Sequence, residues 1–212
     1  MKKIIIILLG IFLLTGCTQI KDLSYEEILG TISTSYDKAN IYRTGYKYYL
    51  PRGMKLEDST LYNEVIGSKD YLYYLYIDAV SYYNEVKSTY QVKSESYYSK
   101  SIEYDGKYGY LEINLVENEK YMIEIMYNYA KIEVIVEEKD INESLLNAIN
   151  ILKSIQYNDT IISNLLGSSI LNFVEEEFNI FNTTSSDSEY IKIDNSYHEE
   201  EEEKVLDTDL IK

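Results

Sequence analysis

The stretch from residue 71 to 137 most constrains the fold, because it is almost entirely a series of β-strand patterns. Tyr71–Val80 is apolar or aromatic on both of its faces, which predicts a central strand covered on both sides. Further strands are predicted at 97–104, 108–116, 120–128 and 131–137. The pairs Asp105-Gly106 and Glu117-Asn118 mark tight turns between them. Strands joined by such turns run antiparallel, so the sequence predicts an antiparallel sheet.

Helices are predicted on both sides of this stretch in the chain. Ser24-Tyr25-Glu26-Glu27 has the spacing of a capping box and predicts a helix over 25–36. Asp140-Ile141-Asn142-Glu143 predicts a second N-cap, and the apolar stripe behind it predicts a helix over about 141–154. The segment 45–54 predicts a strand that ends in a turn at Pro51 and Gly53, and a second short strand is predicted at 61–66. We therefore expect an α+β fold, in which an antiparallel β-sheet is flanked by N- and C-terminal helices as an α/β/α sandwich.

The N-terminus has the pattern of a secretory signal peptide. Lys2 and Lys3 precede an uncharged apolar segment, Ile4–Leu14, which is followed by small residues and the only cysteine, Cys17. Eleven helical residues reach roughly 16 Å, whereas the hydrocarbon core of a bilayer is about 30 Å thick. The segment is therefore too short to span a membrane, and Leu14-Thr15-Gly16-Cys17 resembles the lipobox of bacterial lipoproteins.

That resemblance implies cleavage between Gly16 and Cys17 and a covalent diacylglycerol lipid on the Cys17 thiol. Two acyl chains such as palmitate anchor a protein stably, so we expect the chain at the cell membrane, on its extracytoplasmic face. The expected organisation is a signal peptide (1–16), a tether (17–23), the folded domain (24–182) and an acidic tail (183–212). Whether residues 158–182 belong to the folded domain is left open.

The charge of the chain is strongly acidic. The formal net charge of −16 becomes −18 when Lys2 and Lys3 leave with the signal peptide, which argues against a nucleic-acid partner. Residues 183–212 carry ten acidic and three basic side chains, and Glu199–Glu203 are consecutive glutamates. Such a segment has no core to bury, so we expect this tail to be disordered.

The sequence contains no recognisable catalytic or metal-binding motif. The single histidine, His198, lies in the tail beside Glu199, and Gly167-Ser168-Ser169 lacks the context of a nucleophile elbow. We expect no catalytic residues, no metal ligands and no cofactor other than the lipid. Glycan hydrolysis by two convergent carboxylates stays as a minor alternative. The candidates on predicted strands are Asp78, Glu103, Glu112 and Glu124.

Tyrosine dominates the aromatic residues, with 25 tyrosines, four phenylalanines and no tryptophan. An AT-rich genome together with the good fit of tyrosine in sheets explains this bias, because the tyrosines are scattered along the chain. The alternative is a glycan-binding surface, since the tyrosine ring is apolar and its hydroxyl is polar. The candidate ligand-binding residues are Tyr74, Tyr76, Tyr97 and Tyr110.

Two short motifs resemble the Mog1/PsbP-like α/β/α sandwich family, which includes bacterial lipoproteins. They are Tyr49-Leu50-Pro51-Arg52-Gly53 and the helix that runs into Ser154-Ile155-Gln156-Tyr157, and the resemblance covers about 25–158. Met54 departs from it, because members often carry tryptophan after the glycine. The resemblance implies an adaptor or assembly role. We therefore expect a non-catalytic binding or adaptor module with an envelope or membrane-protein partner, and a glycan-binding protein is the alternative.

Overall fold

The computed structural model describes residues 19–36, 38–69 and 71–167. The predicted signal peptide, the lipobox with Cys17, the acidic tail and residues 168–182 lie outside these ranges. Within them, none of the helices combines the length and the apolar character that crossing a bilayer requires.

The described chain forms ten strands and four α-helices. The strands are β1 (Ile41–Tyr42), β2 (Tyr46–Tyr48), β3 (Met54–Ser59), β4 (Asn63–Ser68), β5 (Tyr71–Ile77), β6 (Tyr98–Tyr104), β7 (Lys107–Leu115), β8 (Lys120–Tyr127), β9 (Ala130–Glu137) and β10 (Gln156–Tyr157). The helices are α1 (Tyr25–Gly30), α2 (Ala79–Tyr83), α3 (Ile141–Lys153) and α4 (Asp159–Gly167).

A seven-stranded antiparallel sheet with the order β3-β4-β5-β9-β8-β7-β6 dominates the fold. The chain builds β3, β4 and β5 in sequence and crosses through residues 78–97 to the far edge. It then returns through β6, β7, β8 and β9 until β9 pairs with β5, where Tyr73 lies opposite Val134. The predicted α+β fold with an antiparallel sheet is confirmed. β5 is an interior strand, but only one of its faces is fully buried, whereas the prediction had both faces covered.

One side of this sheet, the helix face, carries the hydrophobic core. Leu75, Ile125 and Ile132 lie in neighbouring positions on this face and are almost fully buried. Helix α3 packs against β8 and β9 and also contacts α1, and the small sheet of β1, β2 and β10 joins the same core. Side chains that alternate with these residues, such as Tyr74, point to the opposite side, which we call the groove face.

Two predicted elements end earlier than the sequence pattern suggested. The strand predicted over Tyr71–Val80 ends at Ile77, because Asp78 accepts a hydrogen bond from the Ser81 amide at 2.8 Å and caps α2. The helix predicted over 25–36 ends at Gly30 and continues as a single 3₁₀ turn, Thr31–Ser33. The apolar pattern therefore gave the right element types and the wrong ends.

The two predicted helix caps had different outcomes. The box at the start of α1 is confirmed, because the Glu27 amide donates to Ser24 Oγ at 3.3 Å and the Ser24 amide donates to Glu27 Oε2 at 2.8 Å. Asp140 occupies the predicted N-cap position of α3, but the side-chain cap bonds of the predicted box do not form. Asp140 makes no cap bond and accepts from the Tyr71 hydroxyl at 2.6 Å, while Glu143 pairs with Lys69 at 2.8 Å.

The remaining predictions concern the hairpin turn at Asp105-Gly106, the segment 45–54 and the segment after residue 158. Asp105 and Gly106 have φ angles of 52° and 70°, as a tight hairpin turn requires, so that prediction is confirmed. In the segment 45–54 the predicted turn is present, with the Met54 amide donating to the Pro51 carbonyl at 3.2 Å. The predicted strand before it is short, and β3 starts directly after the turn. In the segment 158–182, helix α4 buries Ile162 and Leu166 against the domain, and residues 168–182 lie outside the described ranges.

Candidate functional site

The groove face contains a cavity of about 110 Å³ above strands β3, β4, β5 and β9. Its walls combine two tyrosines with acidic, basic and amide side chains. The residues that matter for its chemistry are Asp58, Asn63, Tyr74, Tyr76, Lys131 and Glu133. It is larger than a cavity of about 40 Å³ between Val86, Tyr108 and Tyr129.

The register of the sheet assembles this groove from residues that are distant in the sequence. Tyr76 lies directly between Asn63 of β4 and Lys131 of β9. Tyr74 lies two residues away on the same face, directly opposite Glu133. Opposed residues in an antiparallel sheet have Cβ atoms about 4.5–5.5 Å apart, so these side chains form one continuous surface.

The groove carries its own charge compensation. Lys131 Nζ lies 3.0 Å from Glu133 Oε1, and the two side chains are only 16% and 4% exposed. Asp58, at the exposed rim, accepts a hydrogen bond from the Ser59 amide at 2.8 Å. The buried ion pair is therefore neutral as a unit, so this part of the groove does not favour a ligand with a large net charge.

A row of three glutamates continues from the groove across the sheet. Glu133 is directly opposite Glu124, and Glu124 is directly opposite Glu112. The segment before β6 covers the far end of this row. In that segment Tyr90 stacks on Tyr110, with the ring centroids 4.4 Å apart, and Lys93 lies 3.0 Å from Glu112 Oε2.

The two glutamates at the covered end have opposite pKa shifts. Burial raises the pKa of Glu124, and the lowering effects of Lys131 and of the Tyr110 hydroxyl do not cancel this. Burial also acts to raise the pKa of Glu112, but hydrogen bonds from Asn114, Tyr90 and Lys93 outweigh it and lower that pKa. A buried pair with diverging pKa values is the pattern of acid–base catalysis, and also of a packed ion-pair network.

The predicted tyrosines fall into three locations. Tyr74 and Tyr76 line the groove and are half-buried. Tyr110 is on the same face but is buried beneath Tyr90. Tyr97 lies apart from them, against Tyr121 with the ring centroids 4.7 Å apart.

The predicted carboxylates are also divided. Glu112 and Glu124 are brought together, whereas Asp78 is the N-cap of α2 and Glu103 is exposed on the edge strand β6. Prediction from sequence missed Lys131 and Glu133 as site residues. In the predicted strand 131–137 both residues alternate with the apolar Ile132, Val134 and Val136, and this alternation was the available signal.

A second buried polar cluster borders the groove at Glu64. Its Oε1 accepts from Arg43 Nε at 2.9 Å and from the Tyr46 hydroxyl at 2.6 Å, and the Tyr48 hydroxyl donates to Oε2. Burial, together with the adjacent Glu64 carboxylate, raises the pKa of both tyrosines. The cluster connects the small sheet to β4, so its contacts indicate a structural role.

Among the described residues, no group of three or more histidine, cysteine, aspartate or glutamate side chains is arranged to hold a metal ion. No protein-family model, no curated protein and no solved structure matches the chain. A proposal for the function of this chain therefore rests on the sequence motifs and on the geometry of the groove.

Proposed function

We propose that the chain is a lipid-anchored, extracytoplasmic binding module of the cell envelope, which holds a ligand or partner without transforming it. The lipobox at Leu14–Cys17 supports the location. The groove beside Tyr74 and Tyr76 is the observation that carries the binding role, because it is concave and partly aromatic and contains fixed polar groups.

The packing of the glutamate pair supports a non-catalytic role. Glu112 is buried and already bonded to Lys93, Tyr90 and Asn114, and Glu124 accepts from the Tyr110 hydroxyl. A general acid or base must reach its substrate at hydrogen-bond distance. These partners instead occupy the carboxylates with groups of the protein itself.

We further propose that the domain is related to the Mog1/PsbP-like α/β/α sandwich family, with α1 and α3 as the helical layer on one face of the sheet. Support comes from the predicted motifs and from the position of α3 directly after the last strand of the large sheet. An adaptor role would follow from this relationship, with an envelope or membrane protein as the partner.

In-cell photo-crosslinking tests the binding role. A photoreactive residue at Leu72, which is 46% exposed on the groove face two residues from Tyr74, is expected to capture an envelope component that mass spectrometry then identifies. Leu115 is the matched control, because it is 61% exposed at the end of β7 and on the helix face. Equal capture from both positions, or capture from neither, would contradict the proposal.

A further inference from the structure

We infer that the groove binds a single sugar ring of an envelope glycan, with Tyr74 and Tyr76 as its platform. This inference rests on the proposed extracytoplasmic location, which would expose the groove to cell-wall glycans. It adds the chemical class of the ligand and the residues that recognise it.

The groove combines aromatic surface with polar side chains, and a sugar ring has a complementary combination of surfaces. A sugar ring has an apolar C–H face and a rim of hydroxyls. Tyr74 and Tyr76 are alternate residues of β5, so their Cα atoms are about 7 Å apart and both side chains are on the groove face. Asp58 and Asn63 line one wall and Lys131 with Glu133 the other, so acceptors and donors flank the aromatic surface.

The size of the groove limits the ligand to one ring. At about 110 Å³, the cavity is well below the roughly 300–1,000 Å³ of typical ligand pockets. It can therefore take only a small part of a glycan, such as one ring. Further units of a glycan would extend from the open side of the groove.

The charge of the groove favours a neutral sugar over a cationic amine. Lys131 and Glu133 compensate each other at 3.0 Å and are both largely buried, so neither presents an uncompensated charge. The one remaining acidic side chain at the rim, Asp58, is exposed to solvent, where salt screens its attraction for a cation.

The test uses the full-length chain with Cys17→Ala, purified in detergent, in a pelleting assay with purified peptidoglycan and in calorimetric titration with an N-acetylglucosamine oligosaccharide. We expect saturable binding that is insensitive to salt. Tyr74→Ala and Tyr76→Ala should each weaken it about tenfold, and Tyr76→Phe should keep most of it because the ring remains. Tyr104→Ala is the control, since Tyr104 is 45% exposed on the far edge strand β6, and it should change the affinity less than twofold.

Asp58→Asn is a second test variant, and it should leave the packing of the groove unchanged because Asp58 is exposed. We expect it to weaken glycan binding about threefold. Equal losses in Tyr76→Ala and Tyr104→Ala would overturn the inference, as would absence of glycan binding. Salt-sensitive binding that spermidine displaces would assign the groove to a cationic ligand instead. If Leu72 captures an envelope protein while no glycan binds, the ligand class is wrong and the proposed binding role stands.

Discussion

Glu112 and Glu124 face each other on adjacent strands, yet their surroundings give them opposite protonation behaviour. Three donors stabilise the charged form of Glu112, from Lys93, Tyr90 and Asn114. Glu124 has the Tyr110 hydroxyl and lies between two other carboxylates, Glu112 and Glu133. Like charges directly opposite each other destabilise a sheet.

Glu124→Gln is expected to stabilise the fold at pH 7. A carboxyl with a raised folded-state pKa contributes stability below its usual value of 4.5, and that contribution is lost as the pH rises through the raised pKa. The substitution removes the unfavourable charged form of this side chain and its repulsion by Glu112 and Glu133. The amide oxygen of glutamine can still accept a hydrogen bond from the Tyr110 hydroxyl. We expect an increase of about 0.5–1 kcal/mol in the free energy of unfolding, measured with urea.

Glu112→Gln is the matched control and should have the opposite sign. The lowered pKa of Glu112 means that its contribution is present above pH 4.5 and is lost as the pH falls through the lowered folded-state value. The substitution therefore destabilises the fold at pH 7, and its effect disappears in acid. Destabilisation by both substitutions at pH 7 would show that the assigned difference in protonation is wrong.

At the scale of single elements, Gly109 fixes the contact between β7 and β8. A Cβ atom there would lie 1.9 Å from the Met126 carbonyl oxygen and 2.9 Å from Tyr127 Cα, and both atoms belong to the backbone. Side-chain movement cannot relieve such an overlap, so the two strands would have to separate.

Gly109→Ala is therefore expected to destabilise the fold by about 3 kcal/mol or more. Gly30→Ala makes the same chemical change at the end of α1, where the added Cβ meets no atom within 4 Å. That control should stabilise the fold by about 0.5–1 kcal/mol, because alanine favours the helix. Thermal unfolding of the two variants measures both effects, and a neutral Gly109→Ala would contradict the described strand pairing.

At this scale, the features formed by neighbouring residues were predicted correctly, and those that depend on distant residues were not. The hairpin at Asp105-Gly106 and the capping box at Ser24 involve neighbouring residues, and both were predicted. Strand β3 was missed because a bulge between Leu56 and Asp58 interrupts its alternation. The side-chain cap predicted for Asp140 was wrong because Tyr71, far away in the sequence, binds that carboxylate.

The groove was only partly predictable for the same reason. Tyr74 and Tyr76 were candidates because their strand was clear from the sequence. Their neighbours Lys131 and Glu133 join them only through the pairing of β5 with β9, which no local pattern specifies. The register also decided between the candidate carboxylates, since it placed Glu112 beside Glu124 and left Asp78 and Glu103 elsewhere.

At the scale of the whole molecule, the two faces of the seven-stranded sheet differ in packing and composition. The helix face is packed by α1, α3 and the small sheet. The groove face presents polar and aromatic side chains in a shallow cavity, next to a segment that covers the glutamate row. The proposed lipid on Cys17 would hold this surface at the membrane through the tether 17–23.

The mass of the intact chain extracted from membranes tests the account most directly. The lipobox predicts a chain that lacks residues 1–16 and carries a diacylglycerol lipid on Cys17, and the Cys17→Ala variant should carry none. A membrane-derived chain with an unmodified Cys17 thiol, or with residues 1–16 still attached, would contradict the proposed anchor and the envelope location that the binding role requires.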